Sequence, residues 1–169
     1  MKVMVTAASR HGATREIAER IAQALSSRGI EVFLRSPETV QTLDGYDAAV
    51  VGSAVYMGRW LDQARDLVQN LRAEFAVRPT WLFSSGPVGE PPKPTEEPVD
   101  IAEIVAGTHA RGHRLFAGCI DRHKLGFGER AVVMSLRAPV GDFRDWQAID
   151  AWAAEIADAL STTAMLTST

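Results

Sequence analysis

The sequence carries a single cysteine, Cys119, so neither an internal disulfide nor a cysteine-built zinc cluster can form. It is also poor in lysine. Of 18 basic residues only Lys2, Lys93 and Lys124 are lysine, and the positive charge is nearly all arginine. Neither sign of charge dominates: a formal net charge of −3 lacks the basic excess of a nucleic-acid binder, and no nucleic-acid partner is expected. Long apolar runs are missing too. The first breaks off at Ser9, Arg10 and His11, so the chain reads as having neither a signal peptide nor a membrane span, and a cytoplasmic location is expected. Internal repeats and long low-complexity tracts are absent. What is present is an ordinary globular composition, 46% hydrophobic and 23% charged over 169 residues, which suits one domain spanning 1–169.

Along the chain, short apolar runs alternate with stretches of helical period. Residues 3–8 read as a buried strand and 14–27 as a helix with Ile17, Ile21 and Leu25 on one face, stopped by Gly29. A second strand is expected at 30–34, a short helical turn at 36–43 and a third strand centred on 48–51. A helix over 60–75 follows, carrying Leu61, Ala64, Leu67, Val68, Leu71 and Phe75 at helical spacing, and then a fourth strand in "PTWLFSSG". Pro87, Pro91, Pro92, Pro94 and Pro98 make the next segment a loop. A helix is expected near 99–106, a fifth strand in "HRLFAGC" with Cys119 buried in it, a short helix near 129–136 and a closing helix over 144–160. This alternation predicts an α/β fold, a five-stranded parallel sheet with helices on both faces. A phosphoacceptor receiver domain alternates in the same way but needs clustered aspartates after its first strand, and no aspartate precedes Asp44.

Such sheets bind ligands beyond the carboxyl ends of their strands. That singles out the loops after strands one, three and four. The first holds Ser9, Arg10, His11, Gly12, Ala13 and Thr14. Its small residues let the backbone approach a ligand, two hydroxyls flank the turn, and a helix N-terminus behind it attracts an anion. The same residues would equally make an ordinary capped turn. The loop is neither a P-loop nor the GxGxxG fingerprint.

"SRHGATREIA", from Ser9 to Ala18, resembles the flavodoxin phosphate-binding signature, with Ala7 where that signature has an aromatic. The resemblance implies a flavodoxin-like three-layer sandwich with strand order 2-1-3-4-5, and FMN with its phosphate on this loop. It also implies that the second loop, Ser53, Ala54, Val55, Tyr56, Met57 and Gly58, lies against the flavin ring, with Tyr56 as its neighbour; Trp60, at the head of the expected helix, reads as a packing residue rather than a cover for the ring. The third loop, Ser84, Ser85, Gly86, Pro87, Val88 and Gly89, would border the pyrimidine edge. It has no aromatic, which would leave one flavin face open.

Further along, "GYDAAVVGSAVYMGRW", "FAGCID" and "DWQAIDAWAAEIADAL" are similar, in order and spacing, to the menaquinone-dependent protoporphyrinogen dehydrogenase group of flavodoxin-like proteins. That group carries an insertion after the fifth strand. Here 121–142 takes its place, with Arg122, His123, Lys124, Arg130 and Arg137 around Val132, Val133, Met134 and Leu136. The resemblance implies an FMN oxidoreductase of haem biosynthesis that oxidises protoporphyrinogen and passes electrons to a quinone. The insertion would meet a propionate-bearing substrate, a quinone or, by peripheral contact at the inner membrane face, anionic lipid; a plain covering helix with a solvated charged face is the alternative. No side chain stands out as catalytic, and the spacing of His109, His113 and His123 does not make a metal site. Two other functions remain open: a flavodoxin-type electron carrier between redox proteins, which the mild charge disfavours, and a non-flavin interaction module, which the Ser9–Thr14 loop disfavours.

Overall fold

A computed structural model of the chain describes residues 1–86, 97–135 and 139–167. Strand β1 (Lys2–Ala8) is an apolar run whose side chains alternate between two buried layers. Val3 and Val5 point to one layer with Ile17, Ile21 and Leu25 of α1 (Ala13–Ser26) and with Ile149, Trp152 and Ile156 of α6 (Trp146–Thr167). Met4 points to the other, against Leu67 and Val68 of α2 (Asp62–Asn70), Phe75 of α3 (Arg72–Ala76) and Ile104 of α4 (Ile101–Thr108). Burial on both faces is what a parallel sheet between helical layers requires.

The parallel strands are β1, β2 (Glu31–Arg35), β3 (Ala48–Tyr56), β5 (Thr80–Ser85) and β6 (Gly112–Phe116), in the order β2-β1-β3-β5-β6. Counting parallel strands alone, this is the expected 2-1-3-4-5. Val5 pairs with Leu34 on one side and Val50 on the other, which fixes the register at the sheet centre. Phe83 of β5 crosses under Gly52 of β3, and its ring joins Phe116 and Trp152 at centroid distances of 6.1 Å each. A Cβ at position 52 would lie 2.1 Å from that ring.

Several expectations are corrected. The helix expected over 60–75 starts at Asp62 and breaks at Leu71, whose backbone leaves helical geometry without proline or glycine. Trp60 belongs instead to a two-residue strand β4 (Arg59–Trp60), antiparallel to the end of β3. The fifth parallel strand stops at Phe116. Cys119 lies in β7 (Cys119–Ile120), which pairs with β8 (Gly141–Asp142) as the base of the insertion, and it is half-buried rather than a buried sheet residue. Within the insertion, a 3-10 turn (Arg122–Lys124) leads into α5 (Phe127–Ser135). Pro87, Pro91, Pro92 and Pro94 of the expected loop lie outside the described residues, as do Leu136 and Arg137 of the insertion. Among the described residues no helix is long and apolar enough to cross a membrane.

Gly52→Ala should cost about 1–3 kcal/mol of stability, the usual penalty of overpacking. Urea unfolding should show that Phe83→Leu in the same chain recovers part of the loss, because the obstacle is the ring.

Candidate functional site

The carboxyl ends of β1, β3 and β5 open into one cleft. Its first wall is the turn between β1 and α1. Gly12 precedes the helix at φ +92°, a left-handed conformation that side chains resist, and no side chain caps the helix. The Gly12 N–H is instead donated to Ser9 Oγ at 3.0 Å, which folds the turn. The first-turn N–H groups of Ala13, Thr14 and Arg15 have no carbonyl within the helix to bond, and the helix dipole adds about half a positive charge there. Thr14 is almost fully buried and lines the cleft, and its hydroxyl has no hydrogen-bond partner among the described residues. Arg10 sits 4.5 Å from the centre of the Tyr56 ring, and His11 is beside it at the rim. An uncapped helix start, an unpaired hydroxyl facing the cleft and the nearby Arg10 guanidinium, with His11 beside it, fit an anion.

The second wall is the end of β3. Ala54, Val55 and Tyr56 line the cleft, but Ser53 does not. Ser53 is buried; its hydroxyl donates to Ala54 O at 2.8 Å and accepts the Leu61 N–H at 2.9 Å, so it fastens the β3–β4 hairpin. Met57 (φ +51°) and Gly58 (φ +75°) form the hairpin tip; neither lines the cleft, and Met57 is exposed. Two positive φ angles are the signature of a two-residue turn that matches strand twist.

The floor comes from the end of β5. Ser85 and Gly86 line it, whereas Ser84 is buried below. A Cβ at Gly86 would lie 2.8 Å from Val55 Cβ, and one at Gly118 would lie 3.3 Å from Gly86 Cα, so backbone packs on backbone here. Trp60 Nε1 donates to Ser84 Oγ at 2.7 Å, and Ser84 Oγ lies 2.8 Å from His113 Nε2. The Glu97 carboxylate, 3.3 Å from Nδ1, can only accept, so the proton of the neutral His113 ring sits on Nδ1 and Nε2 accepts from the Ser84 hydroxyl. A serine, a histidine and an acid in line suggest a nucleophile, but Ser84 has no accessible surface. The chain of bonds ties β4, β5 and β6 together. Pro87, Val88 and Gly89 of the third expected loop lie outside the described residues.

The roof comes from the insertion and the segment that leads into it. Asp121, Leu125, Glu129, Val132 and Val133 come from the insertion, and Gly118, Cys119 and Ile120 from its approach. Apolar residues in the insertion signalled a flap; nothing signalled that Glu129 reaches the first loop. Glu129 Oε1 lies 2.5 Å from Arg10 Nε and 3.1 Å from His11 Nε2, and Oε2 accepts the Gly126 N–H at 2.9 Å. The Gly126 bond, then His11 and Arg10, hold its carboxyl below the usual carboxylate range, against the opposing pull of desolvation. Burial, with Asp142 nearby, pushes the Cys119 thiol up and keeps it protonated. Behind the roof, Arg144 donates to both oxygens of Asp142 (2.8 and 2.6 Å), to Glu16 at 2.6 Å and to Ala13 O at 3.1 Å. Among the described residues there is no cluster of three or more metal-binding side chains.

A family model described as a flavodoxin domain matches residues 4–145. Of solved structures, a flavodoxin from the domain Archaea is similar at a TM-score of 0.65 and 20% identity, over 95% of this chain and 99% of that one. A point mutant of flavodoxin from Pseudomonas aeruginosa is similar at a TM-score of 0.62 and 17% identity, over 95% and 99%. The rubredoxin oxygen:oxidoreductase of Desulfovibrio gigas is similar at a TM-score of 0.65 and 15% identity, but the 95% of this chain that aligns spans only 36% of that protein. At these identities the likeness is one of fold. No curated protein sequence is a significant match.

The buried His113 gives the fold a pH dependence. Desolvation lowers its pKa from 6.5, and the pull of Glu97 in the other direction is smaller. The unfolded chain therefore binds the proton more readily. This stabilisation is fully present above the ordinary histidine range and is lost as pH falls below it through the folded-state value. Unfolding midpoints should drop between about pH 7 and pH 5, and His113→Gln should flatten that part of the profile.

Proposed function

Because the chain belongs to the flavodoxin domain family, its cofactor is FMN, and we propose that it is an FMN-dependent oxidoreductase that takes electrons from a porphyrinogen-like substrate and delivers them to a quinone. The observation that carries the finer reading is the roof. Leu125, Val132 and Val133 face Ala54, Val55 and Tyr56 across the cleft and make an apolar compartment beside the anion cradle. A carrier that exchanges electrons through an exposed edge has no need of an apolar cover contributed by an insertion.

The first-turn N–H groups of α1, with the Ser9 and Thr14 hydroxyls, would hold the phosphate. Arg10 adds charge and His11 a further ring nitrogen, and Tyr56 is the one aromatic side chain lining the cleft among the described residues. When bound, FMN supplies the electron chemistry, accepting two electrons from a substrate and passing them on singly or in pairs. Arg122, His123, Lys124 and Arg130 are exposed around the insertion, where guanidinium groups can grip propionate carboxylates in a two-pronged way. With the exposed Phe127 and Met134 they also suit peripheral contact with the anionic membrane in which a quinone resides.

Thr14→Val should weaken FMN binding by about tenfold, the equivalent of one hydrogen bond to a charged group, while leaving the far-ultraviolet spectrum unchanged. The reaction itself is tested by mixing the FMN-loaded protein anaerobically with protoporphyrinogen IX and a soluble menaquinone analogue. Porphyrin fluorescence that grows with quinone consumption is the expected result. Reduction by a protein donor alone would replace the enzyme reading with that of a carrier.

A further inference from the structure

Helix α5 is held in an unusual way. Of its residues only Glu129 and Val133, one turn apart, are less than exposed, and none is buried. It therefore has little apolar burial to fix it to the domain. Its grip comes from the Glu129 carboxylate, whose two oxygens do different work. Oε2 bonds the Gly126 N–H just ahead of the helix, half of a capping box. Oε1 reaches across to Arg10 and His11 in the loop after β1. The side chain is 15% exposed. A carboxylate thus stands at the arginine and the histidine that flank the uncapped start of α1.

We propose that Glu129 is a resident anion of the cradle, which holds α5 over the cleft and which the cofactor's phosphate must displace to bind. The inference rests on the cradle being the FMN phosphate site. At neutral pH a phosphate monoester carries about −1.5 to −2 charges. A carboxylate within a few ångströms of it would be repelled, and Arg10 and His11 cannot pair fully with both. The dianion outcompetes the single charge. α5, which has little else to hold it, then lifts. Glu129 would set the affinity for FMN, and the same event would open the apolar compartment to a substrate.

Glu129→Gln separates the two roles, because glutamine keeps the capping bond and loses the charge. Fluorescence titration of the apoprotein should show E129Q binding FMN about tenfold more tightly than wild type, as expected for removal of one charged competitor. Riboflavin, which has no phosphate to compete with the carboxylate, should gain much less than FMN. Inorganic phosphate should compete with FMN more strongly in E129Q. In the wild-type chain, FMN should speed tryptic cleavage after Lys124 and Arg130. An unchanged or weaker FMN affinity in E129Q would overturn the proposal, as would an equal gain for riboflavin or protection of those two bonds by FMN. A wild-type protein that binds no FMN would instead overturn the cofactor site itself and the latch with it.

Discussion

The geometry of the site follows from a change of direction in the sheet. From β1 the chain steps outward to β2, then crosses back over β1 to β3 and continues to β5 and β6. The helices therefore leave β1 and β3 toward opposite faces: α1 packs in the layer of Val3 and Val5, and α2 in the layer of Met4 and Val51. No crossover fills the space above the carboxyl ends of β1 and β3. The uncapped start of α1 and the end of β3 face each other across that space, and the backbone of Gly86 and Gly118 closes it from below. A different strand order would separate these three parts even if every local element were kept.

The insertion adds a fourth part, and Arg144 governs how it is attached. Its side chain is 7% exposed, stacks 4.6 Å from the Trp146 ring, and bonds Asp142, Glu16 and the Ala13 carbonyl. Burying a charge is costly unless its donors are matched, and here two carboxylates and a carbonyl match them. Those partners raise its pKa further, so the cation persists at any working pH. One side chain thus locks the β7–β8 hairpin, the first turn of α1 and the start of α6. The base of the insertion is rigid where it meets the cradle, while its tip hangs on Glu129.

The sequence disclosed the parts governed by local chemistry. The apolar runs, the helical stripe of Ile17, Ile21 and Leu25 and the polar-to-small transition at Ser9–Thr14 marked the sheet, the buried α1 face and the turn that lines the cleft. It did not disclose pairings between two-residue strands, because Arg59–Trp60 and Gly141–Asp142 carry no periodicity to read. The break at Leu71 was equally silent, since its apolar spacing is correct for one continuous helix and tertiary packing decides the bend. Ser53 and Ser84 looked like ligand donors by position. The alternation of strand faces turned them inward, to fasten β4 and to bond Trp60 and His113. The contact of Glu129 with His11 spans 118 residues and exists only after folding.

These attachments divide the site by stiffness. Tyr56 is held by a short hairpin whose base is bolted by Ser53 to Leu61 and whose tip accepts a positive φ at Met57, a strain of about 1 kcal/mol for a residue with a side chain. A turn that tolerates this cost at an exposed tip is one whose register is set elsewhere, by Trp60 anchored through Ser84 into the sheet. Arg10 then rests on the Tyr56 ring, so the cradle's cation is placed by the aromatic wall rather than by its own flexible stem. Wall, floor and cradle are thus ordered before any ligand arrives, and ordering them costs nothing at the moment of binding. The tip of the roof alone hangs on a single carboxylate at the cleft, and one anion there can be exchanged for another.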